Sequence, residues 1–174
     1  MAALAVCRDH GVPVLPVGAR TSIAGQAVNT AVVLDFTRHM NRVLDIDPRA
    51  QTARVQPGVV LDTLRAAAAR HGLTFGPDPS THNRCTLGGM IGNNACGAHS
   101  LAWGKTVDNV LYVDVVTYRG DRLYLGSGRD TTGPIPERLR TLADRVGPRV
   151  RTQFPDLTRR VSGYNLDQLL PENG

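Results

Sequence analysis

Between Gly76 and Asp108 the chain reads GPDPSTHNRCTLGGMIGNNACGAHSLAWGKTVD, with Gly76, Gly88, Gly89, Gly92, Gly97 and Gly104 interleaved with Ser80, Thr81, Thr86, Asn93 and Asn94. Glycine loses more backbone entropy on ordering than any other residue, so glycines this dense belong where backbone turns sharply or approaches something closely. The hydroxyls and amides between them are donors for a polar ligand. An upstream stretch has the same character: PVGARTSIAGQA, Pro16 to Ala27, follows the apolar run Val12 to Val17 and sets Thr21 and Ser22 between Gly18 and Gly25. Successive backbone N–H groups in such a turn form a concavity that binds anions, with the hydroxyls adding donors. The upstream loop is not a Walker loop, which needs Gly-Lys-Ser/Thr, nor the fingerprint G-x-G-x-x-G with a helix directly after it. Each stretch alone is also readable as an ordinary surface loop, since Gly, Asn and Ser mark turns generally.

In this order, and with their neighbours, the two stretches resemble a known family. The segments that carry the resemblance are Gly18-Ala19-Arg20-Thr21-Ser22-Ile23-Ala24-Gly25, Gln56-Pro57-Gly58-Val59, Pro77-Asp78-Pro79-Ser80 and Thr86-Leu87-Gly88-Gly89-Met90-Ile91-Gly92-Asn93-Asn94-Ala95-Cys96-Gly97. Trp103-Gly104-Lys105-Thr106-Val107-Asp108-Asn109-Val110 and Ser162-Gly163-Tyr164-Asn165-Leu166 continue it. Over nearly its whole length the chain is similar to the FAD-binding domain of the vanillyl-alcohol oxidase / p-cresol methylhydroxylase (PCMH) type, in the branch of glycolate oxidase and D-lactate dehydrogenase.

The resemblance implies an α+β fold: a PCMH-type FAD-binding domain made of two α/β lobes, here incomplete at both ends. Residues 1–58 would form the first lobe with its pyrophosphate loop and residues 59–174 an incomplete second lobe, with the substrate domain absent. It also implies an FAD-dependent oxidoreductase that oxidises a small-molecule 2-hydroxy acid, such as D-lactate or glycolate, by hydride transfer to FAD and then passes electrons to an acceptor. The fragment alone is expected to be inactive. The alternatives are an FAD domain for another substrate class, of the alkyl-glycerone-phosphate synthase or sugar-acid oxidase kind, and a non-catalytic nucleotide-binding fragment. Some large proteins fuse this domain to an iron–sulfur region. Such a region would lie outside this chain, which has no cysteine cluster.

By the same resemblance, Gly18, Ala19, Arg20, Thr21, Ser22, Gly25 and Gln26 wrap the FAD pyrophosphate, whose charges need donors once buried. Pro79, Ser80, Thr86, Gly88, Gly89, Asn94, Ala95 and Gly97 line the second wall, along the ribityl chain and ring system. Two positions depart from the pattern: Arg20 stands where the family usually has glycine, and Val17 where it often has arginine. If position 20 needs a positive φ, a side chain there adds strain on the order of 1 kcal/mol. Its guanidinium either faces the phosphates or lies exposed at the loop tip. Some relatives attach flavin through a histidine in the first loop; this loop has none, so FAD is expected to be non-covalent. Cys96 and His99 read as packing or surface residues, and Cys85, beside Thr86, is ambiguous. In the resembled branch the base, the carboxylate-binding arginine and any metal ligands lie largely in the substrate domain, so no catalytic residue is assigned.

The 174 residues suit one domain, or one domain of two lobes, and suffice to bury a core. No apolar run is long enough to cross a bilayer, and the start lacks a charged n-region followed by an apolar h-region. Cys7, Cys85 and Cys96 cannot all pair and have no C-x-x-C spacing, which fits a reducing compartment. A cytoplasmic location is therefore expected, with any membrane association made through regions outside the chain. His10, His39, His71, His82 and His99 show no paired spacing, and no metal site is expected. The formal net charge of +5 rests on arginines, with Lys105 the one lysine, scattered among acids as in Arg138, Arg140, Asp144, Arg145 and Arg149. That pattern belongs to solvated helix faces. With no basic block interleaved with aromatics, no nucleic-acid partner is expected.

These loops need a frame. Met1 to Asp9 reads as a helix closed by Gly11, Val12 to Val17 as a strand with edge-type prolines, and Ala31 to Asp35 as a buried strand. Val43 to Ile46 and Thr52 to Val55 flank Asp47-Pro48-Arg49-Ala50 as a hairpin. Val60 to Arg70 sets Leu61, Leu64 and Ala68 on one helical face and ends at Gly72. The central stretch is too punctuated for one long element. Val110 to Tyr118 and Arg122 to Leu125 read as a second hairpin around Gly120-Asp121, followed by a polar loop from Ser127 to Pro136. A helix from Pro136 to Val146 and a helix-like run from Asn165 to Leu170 complete the reading.

Overall fold

The computed structural model describes residues 1–126, 132–157, 160 and 163–173. The start of the expected polar loop, 127–131, and Ser162 of the last quoted motif lie outside the described residues. Contacts divide the chain into two units, Met1–Gly126 and Ser127–Gly174. Among the described residues helices mix with three separate two-stranded sheets, which makes the fold α+β.

The first unit opens with α1 (Ala2–Asp9), which ends where Gly11 takes φ +64. Strand β1 (Val14–Val17) pairs in parallel with β2 (Val32–Asp35), Val14 opposite Val32 and Val17 opposite Asp35. The upstream glycine loop is the connection between them, so its entry and exit are fixed side by side. Strand β2 was expected to be buried, and it is not: Val32 and Val33 are each 40% exposed. An apolar run marks a strand, but burial depends on what covers it, and β2 has β1 as its one strand neighbour among the described residues.

The first hairpin joins β3 (Val43–Asp47) and β4 (Thr52–Val55) with an irregular register between Val43 and Asp45. Asp47 Oδ1 closes its turn by accepting from the N–H groups of Arg49 and Ala50 at 2.9 and 3.0 Å. Helix α2 (Leu61–Ala69) buries Leu61, Leu64 and Ala68, the face its spacing predicts. Two short helices, α3 (Leu87–Asn93) and α4 (Ser100–Trp103), and no single long element, occupy the central stretch. The core is built from Val59, Leu61, Leu64, Cys85, Leu87, Met90 and Ala95, with Val43, Val55 and Phe75 packed on it. It therefore lies directly beneath the second glycine stretch.

The second hairpin, β5 (Tyr112–Val116) and β6 (Arg122–Gly126), is held across its strands by the Tyr112 and Tyr124 rings, 4.7 Å apart, and by Arg122 Nε donating to Asp114 Oδ1 at 2.8 Å. Its turn reaches back to the start of the chain: Tyr118 Oη donates to the Val12 carbonyl at 2.8 Å and Arg8 to the Arg119 carbonyl at 2.7 Å.

In the second unit, α5 (Pro134–Gln153) is longer than the expected Pro136 to Val146 and runs through Pro148. Proline deletes one ladder bond. Ala143, Gly147 and Val150 continue one buried stripe past it, and Leu170 seats its side chain against Gly147. The helix-like run from Asn165 forms a 3₁₀ turn, Leu166–Leu169. Arg151 ties the following turn down with two bonds to Glu172, at 2.7 and 2.9 Å.

Candidate functional site

The two glycine stretches meet at Thr86. Its backbone is held by an antiparallel bridge with Val60, in which Leu87 N–H donates to the Val59 carbonyl at 2.9 Å and Leu61 N–H to the Cys85 carbonyl at 3.1 Å. The residue is 1% exposed. Gly18, directly after β1, lies so close that a Cβ there would overlap Thr86 Oγ1 and stand 3.1 Å from Thr86 Cβ. On the other side a Cβ at Gly89, in the first turn of α3, would come within 3.3 Å of the same oxygen. Thr86 Oγ1 is nonetheless buried with no hydrogen-bond partner. Leaving a hydroxyl in that state costs about 1–3 kcal/mol.

A second such group stands at the other end of α3. Asn94 caps the helix at φ 44, and its Oδ1 accepts from Val107 N–H at 3.0 Å, while its Nδ2 is buried without a partner. Ala95, 9% exposed, follows, with its carbonyl accepting from Thr106 N–H at 2.9 Å and Thr106 Oγ1 at 2.6 Å. Gly97 then packs against Asp78, where a Cβ would overlap the Asp78 carbonyl and carboxylate. Asp78 in turn hydrogen-bonds His99 through both carboxylate oxygens, and the His99 ring stacks on Trp103 with centroids 4.6 Å apart. Gly88 N–H donates to the Pro57 carbonyl at 2.8 Å, and the Pro79 carbonyl accepts from His82 N–H at 2.9 Å.

The upstream loop is less enclosed. Arg20 takes φ 54, the left-handed conformation in which an arginine is strained, and its guanidinium donates to Asp35 at 3.2 Å. The side chain is exposed and pairs with Asp35 at the end of β2. Ala19 and Thr21 are half-buried, whereas Ser22, Gly25, Gln26 and, beyond the second stretch's wall, Ser80 are exposed. The structure thus gathers Gly18, Thr86 and Gly89 in one place and Asn94, Ala95 and Gly97 along the same helix end. It leaves the tip of the upstream loop in solvent. Sequence reasoning missed the parts played by Asp78 and Thr106, which fix Gly97 and Ala95. Asp78 lies inside the quoted Pro77-Asp78-Pro79-Ser80 motif, but its contact with Gly97 spans residues distant in sequence.

Hydrogen bonds from His99 hold the Asp78 carboxyl below its ordinary range, those from Thr37 do the same for Asp35, and those from Arg122 for Asp114. A depressed carboxylate stabilises the fold above its unfolded pKa and loses that contribution as pH falls through the folded one. The urea midpoint is therefore expected to stay level from neutrality down to about pH 5 and to fall below about pH 4. A midpoint unchanged into that acid range would contradict these assignments. Burial pushes the Cys85 thiol up, which makes it a packing group and no nucleophile at neutral pH.

Residues 1–126 match the family described as FAD binding domain. The chain belongs to that family. As a member of the FAD binding domain family it is 37% identical to D-2-hydroxyglutarate dehydrogenase of Pseudomonas putida over 180 residues, covering 96% of this chain and 18% of that protein. It is 43% identical to glycolate oxidase subunit GlcD of Escherichia coli over 128 residues, covering 72% of this chain and 26% of that one. Among solved structures it is similar to alkyldihydroxyacetonephosphate synthase, with a TM-score of 0.65 and 28% identity over 75% of this chain and 27% of that chain. The chain thus spans about a fifth to a quarter of the length of the curated relatives named here. FAD, the cofactor of the family, fits the donors the site offers: Thr86 Oγ1, with Gly18 and Gly89 close against it, and Asn94 Nδ2, both buried and unpartnered.

Proposed function

We propose that the chain is the FAD-binding part of a flavin-dependent dehydrogenase of small 2-hydroxy acids, with D-2-hydroxyglutarate, glycolate and D-lactate as candidate substrates. The observation that carries this reading is the unpartnered Thr86 hydroxyl between Gly18 and Gly89, in a chain 37% identical over 96% of its length to a 2-hydroxy-acid dehydrogenase. The Gly18–Gln26 loop supplies main-chain donors for the diphosphate, with Arg20 as its positive charge. Pro79, Ser80, Thr86, Gly88, Gly89, Asn94, Ala95 and Gly97 form the opposite wall. When bound, FAD would supply the redox chemistry of a hydride acceptor. This chain's residues would hold and orient it: Thr86 Oγ1 and Asn94 Nδ2, buried and unpartnered, would donate to it, with buried Val59, Leu61 and Met90 keeping water out from behind.

In this reading the two lobes are residues 1–58 and 59–174, and the proton-accepting base lies elsewhere in the protein. The electron acceptor, an iron–sulfur region if one is fused, and any membrane attachment would also lie outside these residues, in a cytoplasmic enzyme. The likeness to alkyldihydroxyacetonephosphate synthase supports a second reading, the same FAD site serving another substrate, but at lower identity than the hydroxy-acid enzymes.

Titration of the chain with FAD, read by quenching of flavin fluorescence, is expected to give a Kd on the order of micromolar or tighter. Riboflavin, which lacks the diphosphate, should bind at least about a hundredfold more weakly. Equal affinities, or no uptake of FAD by folded protein, would remove the reading. Because the upstream loop has no histidine, acid precipitation should leave the flavin in the supernatant. A yellow pellet would show a covalent link.

A further inference from the structure

Residues 73–79 run without helix or strand, yet they lead straight into the wall at Pro79 and Ser80. Backbone carbonyls outside regular structure need other partners when buried. Here one side chain provides them. Arg65, half-buried on α2, donates from Nε to the Phe75 carbonyl at 3.1 Å and from Nη2 to the Gly76 and Pro77 carbonyls at 3.2 and 3.1 Å. Packing seats the same residues: Phe75 lies against the core, Pro77 is fully buried, and a Cβ on Gly76 would come 2.8 Å from Trp103 Cβ. Immediately downstream, Asp78 receives Gly97 and His99. A displacement of 75–77 is therefore passed through Asp78 to the backbone at Gly97.

We infer that Arg65 is a positioning residue for the cofactor wall: its guanidinium sets the register of 75–77, and through Asp78 the placing of Pro79, Ser80 and Gly97. The inference rests on the proposed FAD site. Arginine suits the role because its planar fork carries donors in several directions, whereas a lysine nitrogen is a single point and cannot span three consecutive carbonyls.

Arg65→Lys in the full chain tests this, since it keeps charge and stem. The Kd for FAD is expected to rise about tenfold, the equivalent of one lost hydrogen bond. The visible circular dichroism of bound flavin, recorded at saturation, should also change, a signal that general destabilisation does not move. A second readout needs no FAD. His82 N–H bonds the Pro79 carbonyl and His99 N–H bonds Asp78, and both amides should exchange about tenfold faster in R65K, the same lost bond read as local opening. Unchanged affinity and dichroism, or unchanged exchange at both amides, overturns the inference. So does a variant that no longer folds, because Arg65 would then support the fold at large. Failure of the wild-type chain to bind FAD would strike the proposed function instead, with the exchange rates still deciding the role of Arg65.

Discussion

Gly97→Ala is expected to destabilise the chain by about 3 kcal/mol or more, a large part of the total for a domain of this size. The added methyl has nowhere to go. It would overlap the Asp78 carbonyl carbon and oxygen and one oxygen of its carboxylate, and a backbone carbonyl cannot rotate away as a side-chain tip can. Asp78 lies between Pro77 and Pro79, whose rings fix φ at both neighbours, and is bonded to His99. Relief would therefore have to come from the 95–99 backbone, at the expense of the Asp78 bonds and of the Thr106 bonds to Ala95. Chemical denaturation of wild type and variant measures the difference. A loss below about 1 kcal/mol would mean that the two segments are not in contact as described.

Gly18→Ala should act on the ligand more than on the fold. Its Cβ would fall on Thr86 Oγ1, and Thr86 is 1% exposed with its backbone bridged to Val60. The clash is with a side chain, so the upstream loop can move off Thr86, which opens the place where the two stretches meet. FAD affinity is expected to fall by a factor on the order of a hundred or more, with a smaller effect on the melting temperature. The double variant Gly18→Ala, Thr86→Ala separates the two consequences. Removing the Thr86 side chain should restore stability relative to Gly18→Ala alone, a coupling that neighbours in contact show. It should not restore affinity, because the hydroxyl is gone. Additive effects on stability would place Gly18 and Thr86 apart.

Much of the frame was legible because its signals are local. Leu61, Leu64 and Ala68 repeat at helical spacing, and α2 buries those three. Asp47-Pro48 and Gly120-Asp121 mark turns by their own chemistry, and both hairpins form there. Helix α3 was not legible: Leu87–Asn93 contains three glycines, each about 1 kcal/mol worse than alanine in a helix. Tertiary contacts decide it instead, through burial of Leu87 and Met90 and through the approach of Gly88 to Pro57 that only a missing side chain permits. The helix expected to end at Val146 runs on for the same kind of reason, since the buried stripe of Ala143, Gly147 and Val150 carries α5 through Pro148. For the site, the ordered motifs announced which residues to watch and which family they belong to. That the hydroxyl of Thr86 would be left without a partner, and that Arg20 would adopt a positive φ facing Asp35, depend on contacts between segments far apart or on backbone angles that residue type does not encode.

The central claim is that both glycine stretches close on one FAD molecule. Backbone amide shifts of isotope-labelled chain, followed through an FAD titration, test it most directly. The account predicts saturable shifts at Gly18, Ala19, Thr21 and Ser22 and at Thr86, Gly88, Gly89 and Asn94, all fitting a single dissociation constant. Saturable binding that moves one group of amides and leaves the other untouched would contradict it.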